Sequence, residues 1–227
     1  MKKEELYMIL QFTGGTFPTG SFSQSWGLET YVFQELVTDE DSFRKFLDVF
    51  ICTTLAGLEG PVLCGAYDLA KEGKLEEMIR LDRQLTAMKL TKESRENCLR
   101  MGNALMRIVV QMTEDDFLAS YYESSRQNGC SYPVAFAAVS ARLGIEKEEA
   151  LNAFLFSSVN ALVQSGLKLI PLGNIQAQRI LMDYYGAIGE AALQAMQTDP
   201  EEAFSFCPGL DLASMIHEAL PSRLYMS

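Results

Sequence analysis

The sequence is poor in the residues that do chemistry. It has one histidine, His217, and one tryptophan, Trp26, in 227 residues. A lone imidazole with no Cys or carboxylate motif at ligand spacing cannot assemble a zinc or nickel centre of the usual kind. Nor does it supply an identified base for Ser21 or Ser23 as a nucleophile, and helix capping is the commoner use of serine at such positions. The phosphate-binding Gly-x-x-x-x-Gly-Lys-Ser/Thr loop is missing, as is Gly-x-Gly-x-x-Gly after a strand. The nearest run, Thr13-Gly14-Gly15-Thr16, lacks the following lysine. The expectation is a chain with no catalytic residue, no metal and no cofactor.

Other shortages exclude other classes. Cys52, Cys64, Cys98, Cys130 and Cys207 are odd in number, widely spaced and free of Cys-x-x-Cys. They read as small hydrophobes in a reducing, cytoplasmic compartment. Positive charge is scarce: 19 Lys and Arg stand against 30 Asp and Glu, for a net charge of −11. That field repels phosphate backbones, so no nucleic acid is expected, while partners with basic patches are favoured. The apolar run after Met1-Lys2-Lys3-Glu4-Glu5 is too short for a secretory signal. No uninterrupted apolar run of about 18 residues occurs, so no membrane span is expected.

Alternating, strand-like runs of useful length are also absent. What is present is helical periodicity. Phe43, Phe46, Leu47, Phe50, Ile51, Leu55 and Leu58 recur at steps of three and four after a Thr38-Asp39-Glu40-Asp41 cap. Gly60-Pro61 is expected to break that helix, and Pro61 to open the next. Further helices are expected over 74–88, from Thr91 to about Met112, after Thr113 to about Arg126, from Pro133 to Gly144, from Glu146 to about Leu169, from Asn174 to Met196, and over 210–219. The sum is an all-α single helical domain of roughly ten helices, residues 1–227.

Three stretches stand out from this background. Phe17-Pro18-Thr19-Gly20-Ser21-Phe22-Ser23-Gln24-Ser25-Trp26-Gly27-Leu28-Glu29 concentrates turn formers, caps and the sole Trp at a loop-to-helix entry. It reads as a site or a tightly packed elbow, with Ser21 and Ser23 placed as caps. Lys168 sits in the apolar run Gly166-Leu167-Lys168-Leu169-Ile170-Pro171-Leu172-Gly173, followed by Gln176, Gln178 and Arg179. Alone, it reads as a lysine lifting its charge to the surface. Residues 221–227 form a tail with Arg223, Leu224 and Tyr225. Such a tail is either frayed or an interaction peptide that orders on a partner.

Taken together these stretches resemble the urease accessory protein UreF family. The family pattern is met by Leu10-Gln11-Phe12 and Pro18-Thr19-Gly20-Ser21-Phe22-Ser23-Gln24-Ser25-Trp26-Gly27-Leu28-Glu29. It is met again by Met101-Gly102-Asn103-Ala104-Leu105-Met106-Arg107 and Tyr132-Pro133-Val134-Ala135-Phe136-Ala137. Lys168-Leu169-Ile170-Pro171-Leu172-Gly173 with Gln178-Arg179, and Ser222-Arg223-Leu224-Tyr225-Met226-Ser227, complete it. Tyr132 replaces the family's usual His, Met226 its penultimate Arg, and Gln24 a frequent aromatic or His.

The resemblance implies an all-α, non-catalytic scaffold that tends to dimerise. It implies binding to a UreD/UreH-type accessory protein, recruitment of a UreG-type GTPase, and nickel delivery into apo-urease. Ser21, Phe22, Gln24, Trp26, Lys168, Gln178 and Arg179 are then candidates for the surface that meets the GTPase. Arg223, Leu224 and Tyr225 are candidates for ordering against the UreD/UreH-type partner. Two other classes stay open on the residues alone. One is a helical enzyme with a pocket lined by the opening loop, disfavoured by the single His. The other is a generic helical regulator such as a DNA-binding dimer, disfavoured by the acidic balance.

Overall fold

The computed structural model describes residues 2–125 and 128–226; Arg126, given above as a helix end, and Ser227 of the tail lie outside them. The described residues are helical and contain no strand. In chain order the helices are α1 (Lys3–Thr13), α2 (Leu28–Phe33), α3 (Glu40–Val49), α4 (Gly60–Glu72), α5 (Leu75–Met88), α6 (Lys92–Met112) and α7 (Asp116–Ser124). Then follow α8 (Tyr132–Arg142), α9 (Lys147–Leu169), α10 (Asn174–Asp183), α11 (Tyr185–Gln197) and α12 (Pro208–His217). The all-α expectation therefore holds.

The local signals act where expected at several ends. Asp39 caps α3 by accepting from Ser42 N at 2.9 Å. Asp115 caps α7 through Leu118 N. Gly73 ends α4 with φ of 74°, a left-handed residue that glycine adopts without strain.

Gly60-Pro61 does not break the helix. Residues Glu40–Glu72 form one continuous rod whose middle, Phe50–Glu59, is wound as a π-helix. Gly60 N donates to Leu55 O, five residues back. A proline in an α-helix collides with the carbonyl four residues behind it and has no N–H to offer. The wider π turn accommodates both defects. The glycine is there for packing, since a Cβ at position 60 would stand 2.7 Å from the Ala195 Cβ on α11. By length and composition this merged rod could cross a membrane, but 67% of its apolar window is buried among the other helices, the setting of a core helix.

A second correction concerns residues 174–196. They form two helices, split at Tyr184, whose backbone (φ −89°, ψ 0°) leaves the helical path. Its hydroxyl lies 2.7 Å from Asp48 Oδ1 and 2.8 Å from Arg44 O, so the junction between α10 and α11 is pinned onto α3.

One hydrophobic cluster runs through the fold. At its centre is α8, in which every residue from Tyr132 to Ser140 is buried. Ala135, Ala137 and Ala138 let α4 and α6 approach it closely. Gly102 on α6 belongs to the same contact: a Cβ there would overlap the Cys130 and Ser131 backbone at the entry to α8.

Candidate functional site

The opening stretch is an elbow held in unusual backbone geometry. Gly20 (φ 84°) starts a 3₁₀ turn over Ser21–Ser23. Trp26 (φ 49°) and Gly27 (φ 85°) are both left-handed, immediately before α2. A left-handed Trp is sterically costly and persists only where the surroundings fix it. Gly27 is pressed on α12, where a Cβ would stand 3.2 Å from the Ala213 Cβ. Ser21 and Ser23 are not side-chain caps, contrary to expectation: Gly27 is the N-cap of α2 and offers no side chain, while Ser25 Oγ, two residues before it, accepts from Glu29 N at 3.4 Å. The two left-handed residues delay the helix, which puts its N-cap at Gly27.

The elbow aims Glu29 inward, where it is 8% exposed. Its Oε1 accepts from Leu224 N at 2.6 Å and its Oε2 from Tyr225 N at 3.0 Å. His217 Nε2 lies 3.0 Å from the same Oε2. The other ring nitrogen, Nδ1, lies 2.7 Å from Glu93 Oε2, and Glu93 Oε1 accepts from Arg223 at 2.8 Å. Ionised carboxylates only accept, so this bridge needs a hydrogen on each ring nitrogen or on one of the acids. His217 is completely buried. The lone histidine is thus the middle of a chain, Glu29–His217–Glu93–Arg223, that joins α2, α6, α12 and the tail.

Residues 221–226 lie along this chain. Met226 N donates to Ser23 O at 2.9 Å, and Asn97 on α6 donates to Met226 O at 3.2 Å. Tyr225 is buried, and the exposed Lys168 holds its ammonium 5.6 Å from the centre of that ring. Ser165, one turn before Lys168, donates to Gln24 O at 2.9 Å. The structure therefore gathers Ser21, Phe22, Gln24, Trp26, Lys168, Arg223, Leu224 and Tyr225 on one side of the molecule. Gln178 and Arg179 are exposed on α10. No hydrogen bond, ion pair or ring contact among the described residues connects them to the elbow or the tail.

Beneath the elbow lies a cavity of about 110 Å³. Trp26, Phe50, Tyr132 and Phe154 supply ring surface, and Glu59, Lys89, Asn97, Cys98 and Asp211 supply polar groups. Lys89 and Glu59 pair at 2.6 Å, with side chains 8% and 9% exposed. Burial opposes the charge on Lys89, but Glu59 outweighs it and holds the ammonium above its usual range. Burial pushes the Cys98 thiol up to about 12, against the nearby ammonium of Lys89. Among the described residues, no group of three or more His, Cys, Asp or Glu is placed to hold a metal ion.

A sequence model described as UreF matches residues 37–185. A protein named urease accessory protein UreF from Bacillus sp. (strain TB-90) is 33% identical over 224 residues, covering 98% of this chain and 99% of its own length. One of the same name from Geobacillus kaustophilus (strain HTA426) is 34% identical over the full length of both. A third, from Haemophilus influenzae (strain PittEE), is 30% identical over 98% of this chain and 96% of its own. The chain belongs to the UreF family.

Within this UreF-family chain, sequence reasoning found the elbow and the tail but missed what joins them. Glu29 closes the elbow motif, yet nothing local marks it as an acceptor for residues 224 and 225. Glu93 reads as a first-turn acid of α6. Lys89 and Glu59 lie 30 residues apart in different helical contexts. The one available signal was the isolation of His217 in the sequence, since a sole histidine in a helix that packs inward needs partners.

Proposed function

We propose that this chain is a non-catalytic adaptor in urease maturation. It is a scaffold that works with a UreD/UreH-type accessory protein and a UreG-type GTPase to deliver nickel into apo-urease. The observation that carries this reading is end-to-end similarity to proteins named urease accessory protein UreF. The absence of a phosphate loop in the sequence agrees with a partner that supplies its own. Such a chain acts on a GTPase cycle through differential contacts with the two nucleotide states.

The two groups of residues divide the work. The elbow and Lys168, expected above at the GTPase, pack with the tail through Ser23 O and the Tyr225 ring, and are therefore proposed with it as the face for the UreD/UreH-type protein. Arg179 and Gln178, set apart on α10, are proposed for the GTPase, with Arg179 as the charged anchor. Exposed Phe204, Phe206, Leu212 and Met215 offer apolar area for assembly, including a homodimer. The free cysteines suit the cytoplasm.

Coexpression with the urease proteins tests the reading. A stoichiometric complex and urease activity that depends on this chain are expected. Arg179→Ala should weaken capture of the GTPase while the helical signal in circular dichroism stays unchanged. Unchanged capture together with unchanged urease activation would remove Arg179 from the interface. Activation that proceeds fully without the chain would overturn the function.

A further inference from the structure

The bridge through His217 has one hydrogen to account for. The tail already serves both of its acids: Leu224 N and Tyr225 N donate to Glu29, and Arg223 donates to Glu93. The ring takes the remaining contacts, with Nδ1 2.7 Å from Glu93 Oε2 and Nε2 3.0 Å from Glu29 Oε2. A neutral imidazole carries one N–H, so one of these oxygens would then meet a ring lone pair at hydrogen-bond distance. The ring is completely buried, and the side chains of Glu29 and Glu93 are 10% and 11% exposed, so little water reaches that contact to relieve it.

The charges lead to the same count. Glu29 meets the ring from α2 and Glu93 from α6, and Arg223 of the tail stands behind Glu93. On α12 itself, Asp211 interacts with Lys89 and Glu218 is exposed, while Lys168 of α9 lies over the Tyr225 ring. Two carboxylates therefore share one guanidinium, and a protonated ring makes the set neutral. A buried set left with one charge in excess is costly. The two ring contacts are unequal. Glu93 holds its nitrogen more closely, and Glu29, the acid at the longer contact, is the one that grips the tail backbone.

We propose that the His217 bridge is a proton-operated latch on the C-terminal tail. With a hydrogen on each ring nitrogen, Glu29 is drawn against α12 and holds residues 224 and 225. When Nε2 gives its proton to water, Glu29 meets the ring lone pair, turns away and lets them go. The docked tail thus holds one proton more than the detached tail wherever an imidazole open to water is neutral, above about pH 6.5. The detached population should then rise about tenfold per pH unit. Detachment would dismantle the face proposed for the UreD/UreH-type protein, a consequence that rests on that reading, whereas the latch is a property of the free chain and is tested on it alone.

His217 is the sole histidine, so nitrogen-15 magnetic resonance of the full chain reads its ring without ambiguity. Between about pH 6 and about pH 9 the ring should pass from two N–H groups to one. The backbone amides of Leu224 and Tyr225 should lose their carboxylate-bonded shifts at the same midpoint, while the helical signal in circular dichroism stays constant. Trypsin trimming after Arg223, corrected at each pH with a short peptide substrate, should rise about tenfold per pH unit. Glu93→Gln supplies the missing donor: its amide N–H donates to Nδ1, its carbonyl accepts from Arg223, and Nε2–H serves Glu29. No extra proton is then needed, so trimming should become independent of pH. A ring with a single N–H under a docked tail at the lowest pH, two N–H groups persisting at the highest, amides that do not follow the ring, or a pH slope retained in Glu93→Gln would each overturn the proposal. Should Glu93→Gln fail to fold, the unaltered chain decides: a shared midpoint of ring and amides supports the latch, and separate midpoints reject it.

Discussion

Glu29 is the residue whose loss should be felt furthest along the chain. Its carboxylate, 8% exposed, takes the backbone N–H groups of Leu224 and Tyr225 at 2.6 and 3.0 Å. A hydrogen bond to a charged group contributes about 1.5–3 kcal/mol. The tail regains water when it leaves, so the low end applies, about 3 kcal/mol for the two bonds together. Glu29→Ala removes both acceptors, and with them the partner of His217 Nε2, and leaves the Arg223–Glu93 pair, the buried Tyr225 ring and the Met226 bonds in place. The population with the tail detached should rise on the order of 100-fold, since each 1.4 kcal/mol is a factor of about ten. Glu29→Gln keeps one acceptor and loses the charge, so about tenfold is expected.

Trypsin reads this directly. Arg223 precedes Leu224, and cleavage there releases residues 224–227 with a defined loss of mass. Where reclosing outpaces cleavage, the trimming rate tracks the detached population. The rates should therefore rank Glu29→Ala above Glu29→Gln above the unaltered chain, at a protease concentration that leaves α1 to α11 intact. Equal trimming rates in all three, with helical content retained, would show that Glu29 does not hold the tail.

Two further outcomes follow from the buried charges and thiols. Lys89→Met leaves Glu59 buried and unpaired and should cost about 3–5 kcal/mol, whereas Lys89→Met with Glu59→Leu should regain most of it. For a chain of this size the single change lowers the thermal midpoint on the order of 10 °C in calorimetry, and a double variant as unstable as the single one would refute the pairing argument. The thiols of Cys98 and Cys130 are each pushed up to about 12 by burial. A folded-state value raised above the ordinary 9.0 means stability that is complete below pH 9 and lost as the pH climbs towards 12. Denaturant melts should show that alkaline loss reduced in Cys98→Ala, and a thiol reagent at pH 8 should reach Cys52 and Cys207 while sparing Cys98 and Cys130.

The helices were legible because their information is local. Caps such as Asp39 and Asp115, the stop at Gly73 and the three-four spacing of Phe43 to Leu58 all act within a few residues. The failures share one cause, which is tertiary packing overriding the local signal. Gly60-Pro61 looks like punctuation, yet the glycine exists to let Ala195 approach and the π turn absorbs the proline. Tyr184 looks like one more residue on a helical face, yet its hydroxyl contacts with α3 divide the helix. No window of a dozen residues contains either fact.

The candidate site fails local reading for a deeper reason. Its hub is assembled from Glu29, Glu93 and His217, and the histidine lies 188 and 124 positions from its two acids. Each looks ordinary in place, as a helix-entry acid, a first-turn acid and an isolated imidazole. Only closure of the fold makes them a set, and that closure depends on the strained elbow. Trp26 and Gly27 are left-handed where a straightforward helix start would be cheaper. A straightforward start would turn Glu29 away from α12 and separate the tail from His217. The geometry that made the opening stretch conspicuous in sequence is thus the geometry that places Glu29. The conformational cost at Trp26 is offset by bonds made near residues 217 and 225. The elbow and the tail are therefore best treated as a single element, and a change in either should be detectable at the other.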